Sequence, residues 1–300
     1  MTLTQSSIYC LIVTLTILFS TIPLHAEDSS QTKKKAKSSS AGKGFIALNA
    51  YYFSAKKRHI ANGDNQEIGR FTELTFQLYA DYWFTDALNV FASFTFLKHA
   101  TATSDSSTSF SPSSDTSVTD IGDLDIGFKY KWFDRPTIKS YVGLVFGLPT
   151  GNSDAGSGLT LGGQTFTIPT GNGDFNIILF NQWGFNITDQ LTLGLEVAYN
   201  FRSEDNSDEY SLAAYPGIKL VNYRLHLELG LRWLDSVGNG NRVTNSLART
   251  HSNNMEFLVL NPKATLYLGR SSINAGVFTG LIAKNTPNTT IFQLGAGYQY

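Results

Sequence analysis

The residues of this chain whose types and spacing could do chemistry are charged side chains two positions apart. Between positions 223 and 233 the sequence reads YRLHLELGLRW, in which Arg224, His226, Glu228 and Arg232 alternate with apolar residues. Side chains two positions apart lie on the same side of an extended strand. Acids and bases therefore share one face here, where they can pair with one another or line a path for a polar solute.

Nucleophilic catalysis would require a nucleophile beside a histidine base. His251 directly precedes Ser252, but neighbouring residues of a strand point to opposite sides, so His251 is not placed to activate Ser252. His226 and Glu228 share a face without an evident nucleophile. No His, Cys and Asp group has metal-ligand spacing, and no Gly-rich loop leads from a strand into a helix. The sequence predicts that the chain is not an enzyme and holds no cofactor or metal.

The alternation between positions 223 and 233 is repeated along most of the chain. Period-2 alternation is typical of strands with two unlike faces. The segments that show it are 45–54, 70–84, 87–98, 120–133, 138–148, 173–186, 191–202, 210–221, 223–233, 255–269, 272–283 and 290–300. About twelve strands are therefore expected, and the fold class is all-β.

The connections between these segments alternate in length. Those at one end are tight, such as 85–86 and 221–222, whereas those at the other end are long and polar, such as 99–119 and 235–254. Outer-membrane barrels have short periplasmic turns and long extracellular loops, and they pair every backbone group internally. The pattern predicts a transmembrane antiparallel up-and-down β-barrel over residues 45–300. A soluble β-sandwich or lipocalin-like barrel fits less well, because twelve apolar faces exceed one small core.

The N-terminus indicates export. Residues 8–19 are apolar and uncharged, and they precede the small residue Ala26. This is typical of a secretory signal peptide, here 1–26 with cleavage after Ala26, although no Lys or Arg precedes the apolar core and an uncleaved anchor is the alternative. The polar, Lys- and Ser-rich stretch 27–44 predicts a disordered periplasmic linker. The expected location is the outer membrane of a Gram-negative bacterium.

Partners follow from the same features. Trp83, Trp132 and Trp233 fall near predicted strand ends, where barrels carry aromatic girdles in contact with outer-membrane lipid. The last strand ends in Tyr300, and a C-terminal aromatic residue is similar to the signal read by the outer-membrane barrel assembly machinery. The formal net charge of −1 gives no indication of nucleic acid as a partner.

A charged side chain facing lipid near the bilayer midplane costs about 2–4 kcal/mol, so the charged strand residues should face the lumen. The predicted lumen-lining residues are Glu73, Asp81, Asp123, Asp125, Lys129, Glu196, Arg202, Lys219, Arg224, His226, Glu228 and Arg232. Two arrangements stay open. The side chains either line a permeation path or pair across a filled lumen and replace a core.

Two stretches carry a resemblance to a known family. TDIGDLDIGFKYKWF at 119–133 resembles that family's GxGDxxxGxKYRF strand, with Lys131 in place of the usual arginine. YVGLVFGLPTGNSDAG at 141–156 is similar to its next strand, which ends in Pro-Thr-Gly, and a second such triplet occupies 169–171. These features resemble the outer-membrane proteins named for the meta-pathway of phenol degradation.

The resemblance extends over residues 120–300 and implies a transport barrel. The leading hypothesis is passive diffusion of small, hydrophobic or aromatic solutes through the lumen. The alternative is a structural or adhesive surface barrel that acts through its long extracellular loops, of which the Ser- and Thr-rich segment 101–119 is an example.

Overall fold

The computed structural model describes most of the chain beyond the N-terminal segment. The described residues are 39–59, 63–103, 115–152, 159–161, 164–166, 170–171, 173–203, 206–240, 256–284, 287–288 and 290–300. The predicted signal peptide, residues 27–38 of the predicted linker, and His251 and Ser252 lie outside them. No helix in the described part is long and apolar enough to cross a membrane.

The described elements are sixteen β-strands. They are β1 (Gly44–His59), β2 (Asn65–Trp83), β3 (Leu88–Thr103), β4 (Thr116–Asp120), β5 (Leu124–Asp134), β6 (Ile138–Leu148), β7 (Leu159–Leu161), β8 (Gln164–Phe166), β9 (Asn176–Asn186), β10 (Leu191–Arg202), β11 (Glu209–Leu220), β12 (Leu225–Ser236), β13 (Glu256–Leu268), β14 (Ser271–Lys284), β15 (Pro287–Asn288) and β16 (Thr290–Gln299).

Fourteen of these strands form one closed antiparallel sheet. Most strands pair with the next one along the chain, β6 pairs with β9 and β14 with β16, and β1 pairs with both β2 and β16, which closes the ring. β4 and β5 both pair with β3 and together make one barrel strand, as do β15 and β16, which pair with β1. The result is a twelve-strand barrel, which confirms the predicted fold. The short strands β7 and β8 form a separate hairpin.

The two ends of the barrel differ as predicted. The short turns 84–87, 135–137, 187–190, 221–224 and 269–270 lie at the end that also holds both barrel termini. Two of the predicted long loops contain strand. The segment 55–69 is mostly strand, because β1 continues to His59 and β2 begins at Asn65, with Lys57 paired opposite Glu67. The segment 99–119 is strand at both ends, because β3 continues to Thr103 and β4 begins at Thr116.

The outer face is apolar. Exposed side chains on it include Leu48, Leu78, Leu179, Leu212 and Leu294, which are 40–60% exposed and come from strands all around the ring. Exposed apolar area of this extent requires a nonaqueous neighbour, and a lipid bilayer provides one. Trp132 is 53% exposed, as a girdle residue would be. Trp83 differs from the prediction, since its ring faces inward against Tyr141, with 6.2 Å between ring centroids.

β-Bulges change which residues face the lumen. The β2–β3 ladder shifts register between Phe76 and Gln77, where Leu97 and Thr95 are the successive partners and Phe96 is left unpaired. A bulge adds one residue to a strand and so reverses the inward and outward alternation beyond it. Inward positions on β3 are therefore odd up to Thr95 and even from Lys98 onward.

Candidate functional site

The structure places most of the predicted lumen residues on the inner face. Nine are buried: Glu73, Asp81, Asp123, Asp125, Lys129, Glu196, Arg202, His226 and Arg232. Lys219 and Glu228 are part-exposed on the same face. Arg224 does not fit the prediction. It is exposed in the turn 221–224, because β12 begins only at Leu225 after three consecutive left-handed residues.

Most inward side chains in the periplasmic half of one side of the barrel are part-exposed. We call this region the periplasmic vestibule, and it is lined by Lys139, Tyr141, Gln182, Tyr215, Lys219, Glu228, Lys263 and Tyr267. The Glu228 carboxylate forms an ion pair with Lys263, with 2.8 Å between Oε1 and Nζ, and both side chains are 11% exposed. Water thus has access to charged groups of both signs inside the wall.

The extracellular half of the inner face is different. Inward side chains of seven neighbouring barrel strands form one apolar cluster there, which we call the upper cluster. Its members are Tyr51, Phe53, Ala55, Phe71, Ala100, Ala102, Leu234, Phe257, Val259, Phe278, Ala283 and Ile291, all 8% exposed or less. Because these side chains are shielded from solvent, water has little access to this level of the lumen.

A row of aromatic rings lines the inner face between the two regions. The Tyr79 and Phe91 rings lie 6.3 Å apart, and the Phe91 and Phe180 rings lie 6.4 Å apart. Phe91 and Phe180 are on β3 and β9, with β5 and β6 between them. They can meet because the intervening positions are Gly127 and Gly143, where a Cβ would overlap the rings. We call Tyr79, Phe91 and Phe180 the aromatic row.

Buried ion pairs hold the extracellular rim together. The Arg202 guanidinium, at the end of β10, donates 3.0 Å hydrogen bonds to Asp174 and to Glu209, and all three side chains are fully buried. Arg232 donates to the Ser211 hydroxyl at 3.0 Å. The charged groups at this rim are therefore paired with one another. Of the two arrangements left open by the sequence, a permeation path or a paired interior, this rim shows the paired one.

Lys98 on β3 and Glu73 on β2 form another buried ion pair, with 3.2 Å between Nζ and Oε2. Lys129 instead contacts aromatic faces, with its Nζ 5.3 Å from the centre of the Tyr141 ring and 5.6 Å from that of Trp83. The structure therefore brings the predicted lumen charges together in small local groups around the wall, not in one central cluster.

His226 has no arrangement that resembles a catalytic triad. Its Nε2 lies 3.4 Å from the Thr192 hydroxyl, a possible nucleophile that the sequence analysis missed. The Glu228 carboxylate, which would orient the imidazole in such a triad, is paired with Lys263.

The motifs behind the family resemblance meet in space. The Gly151 amide donates to Asp123 at 3.0 Å, and the Thr150 hydroxyl donates to the Gly122 carbonyl at 2.8 Å. The second triplet joins them, because the Thr170 amide donates to the Asn152 carbonyl at 2.8 Å. A Cβ on Gly151 would lie only 2.6 Å from the Gly171 Cα, so small residues are required here. These motifs therefore anchor the ends of the loop after β6 to the wall.

Two carboxylates outside the wall have lowered pKa values. Asp86, in the turn 84–87, accepts hydrogen bonds from the Ser39 hydroxyl and from the Ser40 and Ala41 amides, and these donors lower its pKa. Residues 39–41 of the predicted linker are thus fastened to the barrel. Burial alone would raise the pKa of Asp208, but hydrogen bonds, the largest from Asn239, outweigh it and lower the pKa.

Several inner residues were not predicted. Tyr79, Phe91 and Phe180 belong to otherwise polar faces, and an apolar residue on a polar face was the signal that could have found them. Lys98 gave no such signal, because only the bulge at Phe96 turns it inward.

The comparisons with known proteins agree on the fold. The structure is similar to an outer membrane channel from Pseudomonas putida F1, with a TM-score of 0.66, 15% identity, and coverage of 90% of this chain and 99% of that one. It is also similar to the NanC porin, with a TM-score of 0.51, 7% identity, and coverage of 84% and 98%. It is similar as well to the translocator domain of the autotransporter NalP from Neisseria meningitidis, with a TM-score of 0.51, 12% identity, and coverage of 87% of this chain and 89% of that one.

Sequence comparison adds no closer relative. No family model matches the chain, and no curated protein matches it. The structural likenesses are all below 25% identity and share the barrel architecture only. The chain therefore has the fold of an outer-membrane β-barrel, and membership of the phenol meta-pathway group remains a proposal.

Proposed function

We propose that this chain is an outer-membrane channel for small solutes, exported by its N-terminal signal peptide. The observation that carries the proposal is the periplasmic vestibule, where charged and polar side chains line a water-accessible inner face behind an apolar outer face. A barrel with a filled lumen would bury these side chains, whereas those of the periplasmic vestibule are part-exposed. The likeness to an outer membrane channel from Pseudomonas putida F1 supports the same assignment.

The solutes proposed are hydrophobic or aromatic, and they pass by passive diffusion. The aromatic row supports this choice, because Tyr79, Phe91 and Phe180 make this part of the inner face apolar and aromatic, and aromatic groups pack favourably with one another. The resemblance to the phenol meta-pathway group is consistent with it.

The upper cluster is the proposed barrier on this path. Apolar constrictions in channels oppose the passage of water and ions because wetting them is unfavourable. Phe278 is 3% exposed within the cluster, so removing its ring should widen the path and admit water. Solutes that prefer an apolar surface would cross the cluster more readily than ions do.

Planar-bilayer recording on the purified protein, with liposome flux of small solutes, tests the proposal. Phe278→Ala should raise the single-channel conductance several-fold over the native chain. The matched control is Phe292→Ala on β16, since Phe292 faces outward and is 54% exposed, and it should leave conductance unchanged. The proposal fails if the native chain and Phe278→Ala both show no conductance and no solute flux.

A further inference from the structure

The lipid-facing surface of three neighbouring strands is apolar with two exceptions. The outward residues of β6, β9 and β10 are aliphatic or aromatic, apart from Ser140 on β6 and Asn181 on β9. Asn181 pairs with Val142 on one side and with Val197 on the other, and these valines are 44% and 39% exposed on the outer face. Because residues paired across an antiparallel sheet lie on the same face, Asn181 also faces the lipid.

Asn181 lies in the middle of the membrane span. It is the central residue of β9, midway between the extracellular end at Asn176 and the periplasmic end at Asn186. A tilted strand of this length crosses the hydrocarbon core, so its central residue lies near the bilayer midplane. Hydrocarbon offers no hydrogen bonds, and a polar group at this depth is costly unless a protein group bonds to it.

The Asn181 carboxamide is only partly satisfied within its own barrel. Its Oδ1 accepts a hydrogen bond of 3.4 Å from the Ser140 hydroxyl, and the same hydroxyl donates at 3.2 Å to the Gln182 carbonyl. Among the residues that the structure describes, no acceptor bonds to Asn181 Nδ2, and this side chain is part-exposed. The amide nitrogen and part of the acceptor capacity of the oxygen are therefore left for a neighbour in the membrane.

A second copy of this chain can supply the missing partners at the required depth. Copies of one barrel that insert in the same orientation are related by a two-fold axis along the membrane normal, and such an axis preserves depth. A residue beside this axis meets its own copy. Two carboxamides that meet in this way can form two reciprocal N–H···O hydrogen bonds, because each carries a donor and an acceptor.

The surface around Asn181 permits a close approach. Its neighbours at the same level, Val142 and Val197, are shorter than the leucine and aromatic side chains that cover most of the outer face. Leu179, the preceding outward residue of β9, is 46% exposed and is available for apolar packing. Short polar side chains such as asparagine form hydrogen bonds between transmembrane segments.

We propose that this face joins two copies of the chain, with the two Asn181 carboxamides paired at the centre of the contact and Leu179, Val142 and Val197 packed around them. The association goes beyond the proposed channel function, because it does not depend on whether the lumen conducts.

Single-molecule photobleaching of chains refolded in lipid vesicles tests the association. Each chain carries one dye at its N-terminal amine, and the fraction of two-step traces is followed as the protein-to-lipid ratio falls. Asn181→Val should lower the association constant about tenfold, because it removes two hydrogen bonds between membrane segments. The variant should still fold, since it places an apolar side chain against lipid.

The matched control is Leu294→Val, which should leave the association constant unchanged. Leu294 is 60% exposed in the middle of β16, and β16 lies opposite β9 in the ring of strands. Both substitutions place valine on the outer face, so only the position and the loss of the carboxamide distinguish them.

Disulfide trapping in the same vesicles locates the contact. Cys10, the only cysteine of the sequence, is first replaced by serine. On oxidation, Asn181→Cys should give a disulfide-linked dimer, because two cysteines beside the axis come within bonding reach. Leu294→Cys should stay monomeric.

Three results would overturn the inference. They are single-step traces at every protein-to-lipid ratio, which would leave Asn181 facing lipid, equal association of Asn181→Val and the native chain, and equal trapping of the two cysteine variants, which would indicate random collision. Trapping of a different protein by Asn181→Cys in bacterial outer membranes would likewise refute the second copy as the partner.

Discussion

Replacement of Arg202 should be among the most destabilising single changes in the described barrel. Its guanidinium bonds to Asp174 and Glu209 at 3.0 Å, and none of the three side chains has solvent-exposed area. Arg202→Gln would leave two carboxylates buried beside each other without their cation. Removing one partner of a buried ion pair costs about 3–5 kcal/mol, mostly because the remaining charge stays desolvated.

The cost should disappear when the charges are removed together. In the triple variant Arg202→Gln, Asp174→Asn and Glu209→Gln, neutral amides occupy nearly the same volumes and can bond to one another. Replacing all partners of a buried polar group is far less costly than orphaning one of them. We expect the triple variant to recover more than half of the stability that the single variant loses.

Urea unfolding of the refolded protein in lipid vesicles, followed by tryptophan fluorescence, measures both effects. Arg270→Gln is the matched control, because Arg270 is exposed in the turn 269–270 and should change stability by less than about 0.5 kcal/mol. If Arg202→Gln costs less than about 1 kcal/mol, or the triple variant is no more stable than the single one, buried charge pairing does not hold this rim.

Two further predictions concern the periplasmic turns. Val221→Gly should stabilise the barrel by about 1 kcal/mol in the same urea assay. Val221 has a φ of 51° and is 68% exposed, so glycine relieves backbone strain without losing side-chain packing. An unchanged urea midpoint would contradict this prediction. Asp86→Asn should reduce the hydrogen-exchange protection of the Ala41 amide at neutral pH. Because folding lowers the pKa of Asp86, its contribution exists above the ordinary value of 3.8 and is lost as the pH falls through the folded value, so native and variant chains should converge in acid. A difference in protection that persists unchanged in acid would exclude the carboxylate as the cause.

Period-2 alternation was enough to predict the wall of the barrel. It depends only on whether each side chain meets lipid or the interior, and that requirement acts on every residue of a strand independently. Strands β6 and β10 therefore begin and end at the predicted residues, 138–148 and 191–202. A proline within a predicted strand does not exclude the strand here. Pro262 lies within β13, and beside it the Asn261 side chain donates a hydrogen bond to the Val277 carbonyl at 2.9 Å.

Features that depend on more than one strand could not be read in this way. The bulge at Phe96 turns Lys98 inward against Glu73, and no local pattern marks where a bulge falls. Likewise, the three left-handed residues that start at Val221 delay β12 and leave Arg224 outside the lumen. Both differences arise from backbone geometry, which a pattern of side-chain polarity does not report.

The contents of the lumen are set by a third kind of information, the register between strands. Phe91 and Phe180 are 89 positions apart and meet because each pairs with a glycine on the strand beside it, Phe91 with Gly127 and Phe180 with Gly143. The same logic places Lys139 and Tyr215 at either side of Gly184 and Gly194. In each case glycines remove the side chains that would otherwise stand between residues of non-adjacent strands. A change of register by two residues would keep every side chain on its proper face and yet abolish both arrangements. The arrangement of the lumen therefore depends on register and on small residues, whereas the outer face depends on hydrophobicity alone.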